Sequence, residues 1–168
     1  MKIIIRNVLL LLFFSQYCLG QSKVETINES WVNLKNILQK RTDLSQSMTN
    51  LLSQSKTVDK VQLKNTNTAA EDLATCLKQT KIIDSVSLRK IQVKNNLLTK
   101  VLTKTMINLV EDTIFKKRED VLELFSQLEG TENRIAYEII KYNQKCKENH
   151  RFDLIYQEPV REAPKVIF

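Results

Sequence analysis

The residues with the strongest claim to chemistry lie in one stretch, LEGTENRI, from Leu128 to Ile135. Glu129, Thr131, Glu132, Asn133 and Arg134 supply two carboxylates, a hydroxyl, an amide and a guanidinium. Carboxylates three residues apart face the same side of a helix, where they can act as an acid–base pair or as a charged docking point. Two readings follow. One is ordinary pairing along a helix surface. The other is a polar site that binds a partner, or that locks the first helix through Arg41 and Asp43.

The rest of the chain offers little to a catalyst. His150 is the single histidine, so no histidine pair can hold a metal. It falls near a helix end, where it can serve the last carbonyls. Ser, His and Asp all occur, but none stands in a nucleophile motif. The two glycines, Gly20 and Gly130, are far apart, so no phosphate-cradling loop exists. These residues predict no catalytic group, no cofactor and no metal.

Something must position that polar stretch, and the punctuation of the chain says what. Between residues 21 and 158 there is one glycine and no proline. Hairpins and sheets need more of both. Apolar residues recur instead at steps of three and four, the period of a half-buried helix. The first segment spans about 27–55, with Ile27, Trp31, Leu34, Leu38, Met48 and Leu52 on its stripe. The second spans about 57–81. Its run of Asn and Thr around 64–68 and the capping box Thr68-Ala69-Ala70-Glu71 predict either two short helices or one kinked one. The third spans about 87–110; Asn95 falls on its stripe, either at the edge or as a buried register-setting residue.

The fourth segment, about 117–149, contains LEGTENRI. Its stripe keeps phase on both sides of Gly130, so no turn is needed there. A glycine on a packed helix admits a close neighbour, and Trp31 is the large partner expected against it. Four amphipathic rods with short connections predict an all-α, antiparallel four-helix bundle over residues 21–152. Residues 153–168 hold both prolines and read as an irregular tail ending in Val166-Ile167-Phe168.

The N-terminus reads as a signal peptide over residues 1–20: Lys2 and Arg6, an apolar run Val8–Phe14, then Cys18-Leu19-Gly20 before Gln21. Cleavage after Gly20 is the expectation, with an uncleaved anchor or a lipid on Cys18 as alternatives. Loss of Lys2 and Arg6 takes the charge from +7 to 24 minus 19, or +5. Such a balance suits a solvated surface or contact with an anionic one. An exported chain with dispersed lysines is not expected to bind nucleic acid. Cys76 and Cys146 remain, an even pair that either forms a disulfide or packs as two small hydrophobes.

LEGTENRIAYEIIKYN closely resembles the signature of the LemA family, matching it in full from Leu128 to Ala136 and at Tyr142-Asn143. A second tyrosine–asparagine pair in the family corresponds here to Glu148-Asn149. Trp31 and the run Arg41-Thr42-Asp43-Leu44 resemble the family's first helix. The resemblance implies an antiparallel bundle of the bacterial cell envelope, with no enzymatic activity attached. Typical members carry an N-terminal membrane helix and a Gly- and Phe-rich tail; this leader is shorter and this tail is charged. The function expected is a non-enzymatic module that binds an envelope protein or an anionic membrane surface. A carrier of a small apolar ligand between helices, or an enzyme with an unrecognised polar site, are the alternatives. The sequence leaves the oligomeric state open.

Overall fold

The computed structural model describes the backbone of residues 2–110, 112 and 114–157, and the side chains of 26–109, 112 and 114–157. The described residues form four α-helices and no strand: α1 (Lys2–Leu52), α2 (Lys60–Gln79), α3 (Ser85–Val110) and α4 (Glu119–Glu148). Short 3-10 turns, Phe115–Lys117 and Phe152–Leu154, precede and follow α4. The helical bundle expected from the periodicity is therefore present. Cross-bundle pairs show its antiparallel sense. Trp31 meets Tyr142 and Arg41 meets Glu132, so α4 descends as α1 rises. Lys94 meets Asp72 while Gln62 meets Val101, so α2 and α3 are also opposed.

α1 has 51 residues, roughly 77 Å at 1.5 Å each. It begins well before the start expected near Ile27 and stops three residues short of Ser55. The side chains of the leader, on which the expected signal peptide at 1–20 falls, lie outside the described residues. From Ile27 onward the predicted stripe is buried: Trp31, Leu34, Leu38, Met48 and Leu52 are all at most 1% exposed.

Of the two readings of the second segment, the break at 64–68 is overturned and the single helix is present. The start of α2 is capped by Asp59, whose Oδ1 accepts from the Val61 N–H at 2.8 Å. Thr68 caps nothing; it lies mid-helix. Local propensity lost to packing here. Thr66 is fully buried, returns its hydroxyl to the Gln62 carbonyl at 3.0 Å and meets the Thr105 hydroxyl of α3 at 2.8 Å. Ala70 and Leu73, further along α2, are fully buried as well.

Gly130 corrects a second expectation. The helix is continuous there, but the residue is exposed, and a Cβ built on it meets nothing within 4 Å among the described residues. Trp31 packs instead on Tyr142, three turns further along. Gly130 then makes no contact that needs a glycine. Gly130→Ala should raise stability by about 1 kcal/mol in urea unfolding; a destabilisation would mean that a neighbour needs the missing side chain.

The ends of the helices are tied by carboxylates. Asp112 accepts from the Phe115 N–H at 2.9 Å and from the hydroxyls of Ser55 and Thr57 at 2.7 and 2.9 Å, joining the α1–α2 and α3–α4 connections. The Phe115 amide, then Ser55, hold its carboxyl below the ordinary range. Asp84 at the start of α3 is lowered likewise, first by the Ser87 amide. A carboxyl lowered in the fold stabilises it at pH values above its unfolded pKa. That stability is lost as pH falls through the folded value. Acid titration of the urea midpoint should therefore fall below the ordinary aspartate range, and Asp112→Asn should flatten that fall.

The tail does not start outside the bundle. Leu154 and Tyr156 are each 1% exposed, so the core runs past the boundary expected at 152. The principal helix interfaces are α1–α4, α2–α3 and α1–α2, and the turn Phe152–Leu154 touches both α3 and α4. The segment 152–156 thus fills the side of the bundle that α3 and α4 leave open. Residues 158–168, including Val166-Ile167-Phe168, lie outside the described residues. Cys76 and Cys146 are both free thiols, the first half-buried and the second buried.

Candidate functional site

The polar interior is built around Arg41. On α1 the stripe passes from Leu38 to Met48 through Arg41 and Ser45, so the core face turns polar for one stretch. Arg41 is 2% exposed. Its Nε donates to Glu132 Oε1 of α4 at 2.6 Å. Nη1 donates to Asn95 Oδ1 of α3 at 2.6 Å, and Nη2 to Thr99 Oγ1 at 3.0 Å. Ser45 returns its hydroxyl to the Arg41 carbonyl, which satisfies that carbonyl a second time. One guanidinium therefore joins three helices through a planar fork of donors.

Tyr156 closes the cluster from the tail. Asn143 of α4 donates its amide to the Tyr156 carbonyl at 2.8 Å and accepts from the Tyr156 N–H at 2.7 Å. This mimics a backbone pair and fixes the tail against α4. The Tyr156 ring then enters the interior near Arg41, Asn95 and Glu132. Burial pushes its hydroxyl pKa well above the ordinary phenol value, with Arg41 pulling the other way. Asn95 faces that hydroxyl, yet the geometry falls short of a hydrogen bond.

The predicted cluster is only partly assembled. Arg41 and Glu132 come together as the lock that the sequence suggested. Asp43 does not join them; it is exposed and takes the Gln39 amide at 3.1 Å. Thr131 is buried in the core, whereas Glu129 and Asn133 face outward. Arg134 is largely exposed and reaches Glu138 Oε1 at 2.7 Å, and its guanidinium lies over the Tyr137 ring. Glu138 itself is 2% exposed, and its Oε2 makes no hydrogen bond among the described residues. Asn95 takes the buried option, and Thr99 and Tyr156 were not anticipated. Thr99 follows Asn95 by one helical turn, a spacing that placed it beside Arg41. Nothing local marked Tyr156.

A model of the LemA family matches residues 30–168. The chain belongs to the LemA family. Neither a curated protein nor a solved structure matched it. The bundle gives physical roles to the LemA-like motifs. Leu128, Thr131 and Ile135 supply core contacts, Glu132 holds Arg41, Tyr142 receives Trp31, and Asn143 pins the tail. These side chains point inward and are engaged with one another. Chemically, they form a lock.

The outer surface holds a separate feature. An open groove of about 830 Å3 runs between the first half of α3 and the tail. Val93, Leu97 and Phe152 give it exposed apolar walls, 63%, 48% and 64% accessible. Arg89, Lys90 and Lys94 supply positive charge along the same wall. Lys94 pairs with Asp72 of α2, and Asp153 in the groove pairs with Arg151. No group of three or more His, Cys, Asp or Glu able to hold a metal occurs among the described residues. No helix among them is long and apolar enough to cross a membrane.

Proposed function

We propose that this LemA-family chain is a non-enzymatic binding module of the cell envelope, exported by its leader. It would dock on a protein or membrane surface through the outside of its bundle. One observation carries the reading. Arg41, Glu132 and Asn95 are turned inward and bind each other, while the outward groove beside α3 combines exposed apolar side chains with cations. Exposed apolar surface rimmed by charge is the usual mark of a docking site. The interior lock keeps that surface rigid by fixing α3, α4 and the tail to α1.

Two measurements test this. The mass of the chain recovered from cells should show an N-terminus at Gln21; an intact Met1 would replace export of a cleaved chain by anchoring. Purified chain mixed with native envelope vesicles should float with them in a density gradient. Recovery in the soluble fraction at every salt concentration would end the docking reading.

A further inference from the structure

α3 contains Arg89, Lys90, Lys94, Lys100 and Lys104 and no acidic residue in its 26 positions. Lysines occur on the other helices too, but α3 carries its cations with no acid beside them. The fold then sorts them by face. α3 buries Leu88, Ile91, Asn95, Leu98, Leu102 and Thr105 against the bundle. Among the described residues the opposite face is open from Val86 to Ile107. Val86, Val93, Leu97 and Ile107 stand on it, between 48% and 63% exposed. Arg89, Lys90, Lys100 and Lys104 are exposed on the same face and alternate with them, with Asn96 and Thr103 between. From Val86 to Ile107 this stripe is roughly 31 Å long at 1.5 Å per residue.

We propose that the outer face of α3 is an anionic-phospholipid docking surface, on which the rod lies flat. This inference rests on the docking reading above and names its partner. Charge complementarity argues for lipid phosphates: four cations and no acid share one face, and the flanking acids Asp72 and Asp153 already have partners. The order of residues argues against a partner helix. Val86, Val93, Lys100 and Ile107 recur every seven residues, as do Lys90, Leu97 and Lys104. A dry helix–helix seam along these positions would bury three ammonium groups, which is costly without partners. At a lipid interface those lysines reach up to headgroup phosphates while their stems and the Val, Leu and Ile side chains settle between headgroups. Phe152 adds an aromatic ring at the groove end of the stripe, 64% exposed.

The test is partition of the full chain onto vesicles of phosphatidylcholine alone and vesicles with a third phosphatidylglycerol. The ratio of the two partition coefficients removes any contribution of the leader that ignores charge. The ratio should strongly favour anionic vesicles at 0.1 M salt and collapse at 0.5 M, as screening requires. Lys100→Gln with Lys104→Gln should lower it about 30-fold, near fivefold for each charge removed. Lys141→Gln with Lys147→Gln, the same charge loss on exposed positions of α4, should leave it nearly unchanged. Circular dichroism of each variant checks that the helices are intact. An equal loss in both pairs would mean a diffuse charge effect and overturn the assignment to α3. Binding to native envelope vesicles without preference for anionic lipid would overturn it too, and would leave a protein partner as the target of the module.

Discussion

Glu132→Ala is expected to destabilise the fold by about 3 kcal/mol, the low end of the cost of orphaning a buried charge. Its partner Arg41 has only 3% of its side chain exposed and cannot turn to water. Without Glu132 the guanidinium keeps Asn95 and Thr99 but has no counter-charge. Glu132 is 29% exposed, so solvent can enter the space it leaves, which sets the cost at the low end. Urea unfolding followed by the fluorescence of Trp31 measures the loss. Adding Arg41→Met should recover part of it, because the uncompensated charge goes with the arginine; Asn95 would still lack its donor. A cost below about 1 kcal/mol for Glu132→Ala would place this pair with ordinary surface bridges. It would also remove the claim that the pair locks α1 to α4.

Trp31→Ala is expected to cost about 3–5 kcal/mol, the range for deleting a large buried aromatic side chain. Trp31 is 1% exposed and meets the Tyr142 ring at 6.0 Å between centroids, tilted by 60°. Its removal opens a cavity where α1 and α4 meet, close to the anchored tail. Typical domains have only 5–15 kcal/mol in total, so the variant should be near the limit of folding. Far-UV circular dichroism in urea gives the value. The indole Nε1 makes no hydrogen bond among the described residues, so the loss comes from packing. Trp31→Phe should then keep a good part of the stability by keeping a ring against Tyr142. If both variants cost the same, the aromatic contact is not what Trp31 provides.

These two residues show how unevenly the site could be read in advance. Arg41 and Glu132 belonged to separate motif-like stretches, and a lock between them followed from two charged groups on helices expected to be neighbours. Asp43 stood two residues from Arg41 and looked equally suited. It turns outward because two positions rotate a helix by about 200°, which carries the side chain to the other face. Gly130 misled for a similar reason. Its rarity suggested a purpose, but its angular position puts it on the exposed side, where a missing Cβ makes no contact. Around Thr66 the weak helix propensity was real, and burial against Thr105 outweighed it.

The sequence by itself determined the helices, their antiparallel order and most of the core, because a 3.6-residue apolar period, almost unbroken by glycine or proline, leaves few other ways to bury the stripe. It also carried the LemA motif that links α1 to α4. Only the tertiary structure decided that Tyr156 belongs to the interior, that Asn95 is buried, and that α3 presents its cations together on an open face. Those outcomes depend on which side of each rod meets a neighbour. The neighbours are set by packing between segments far apart in the chain, and no local pattern encodes that choice.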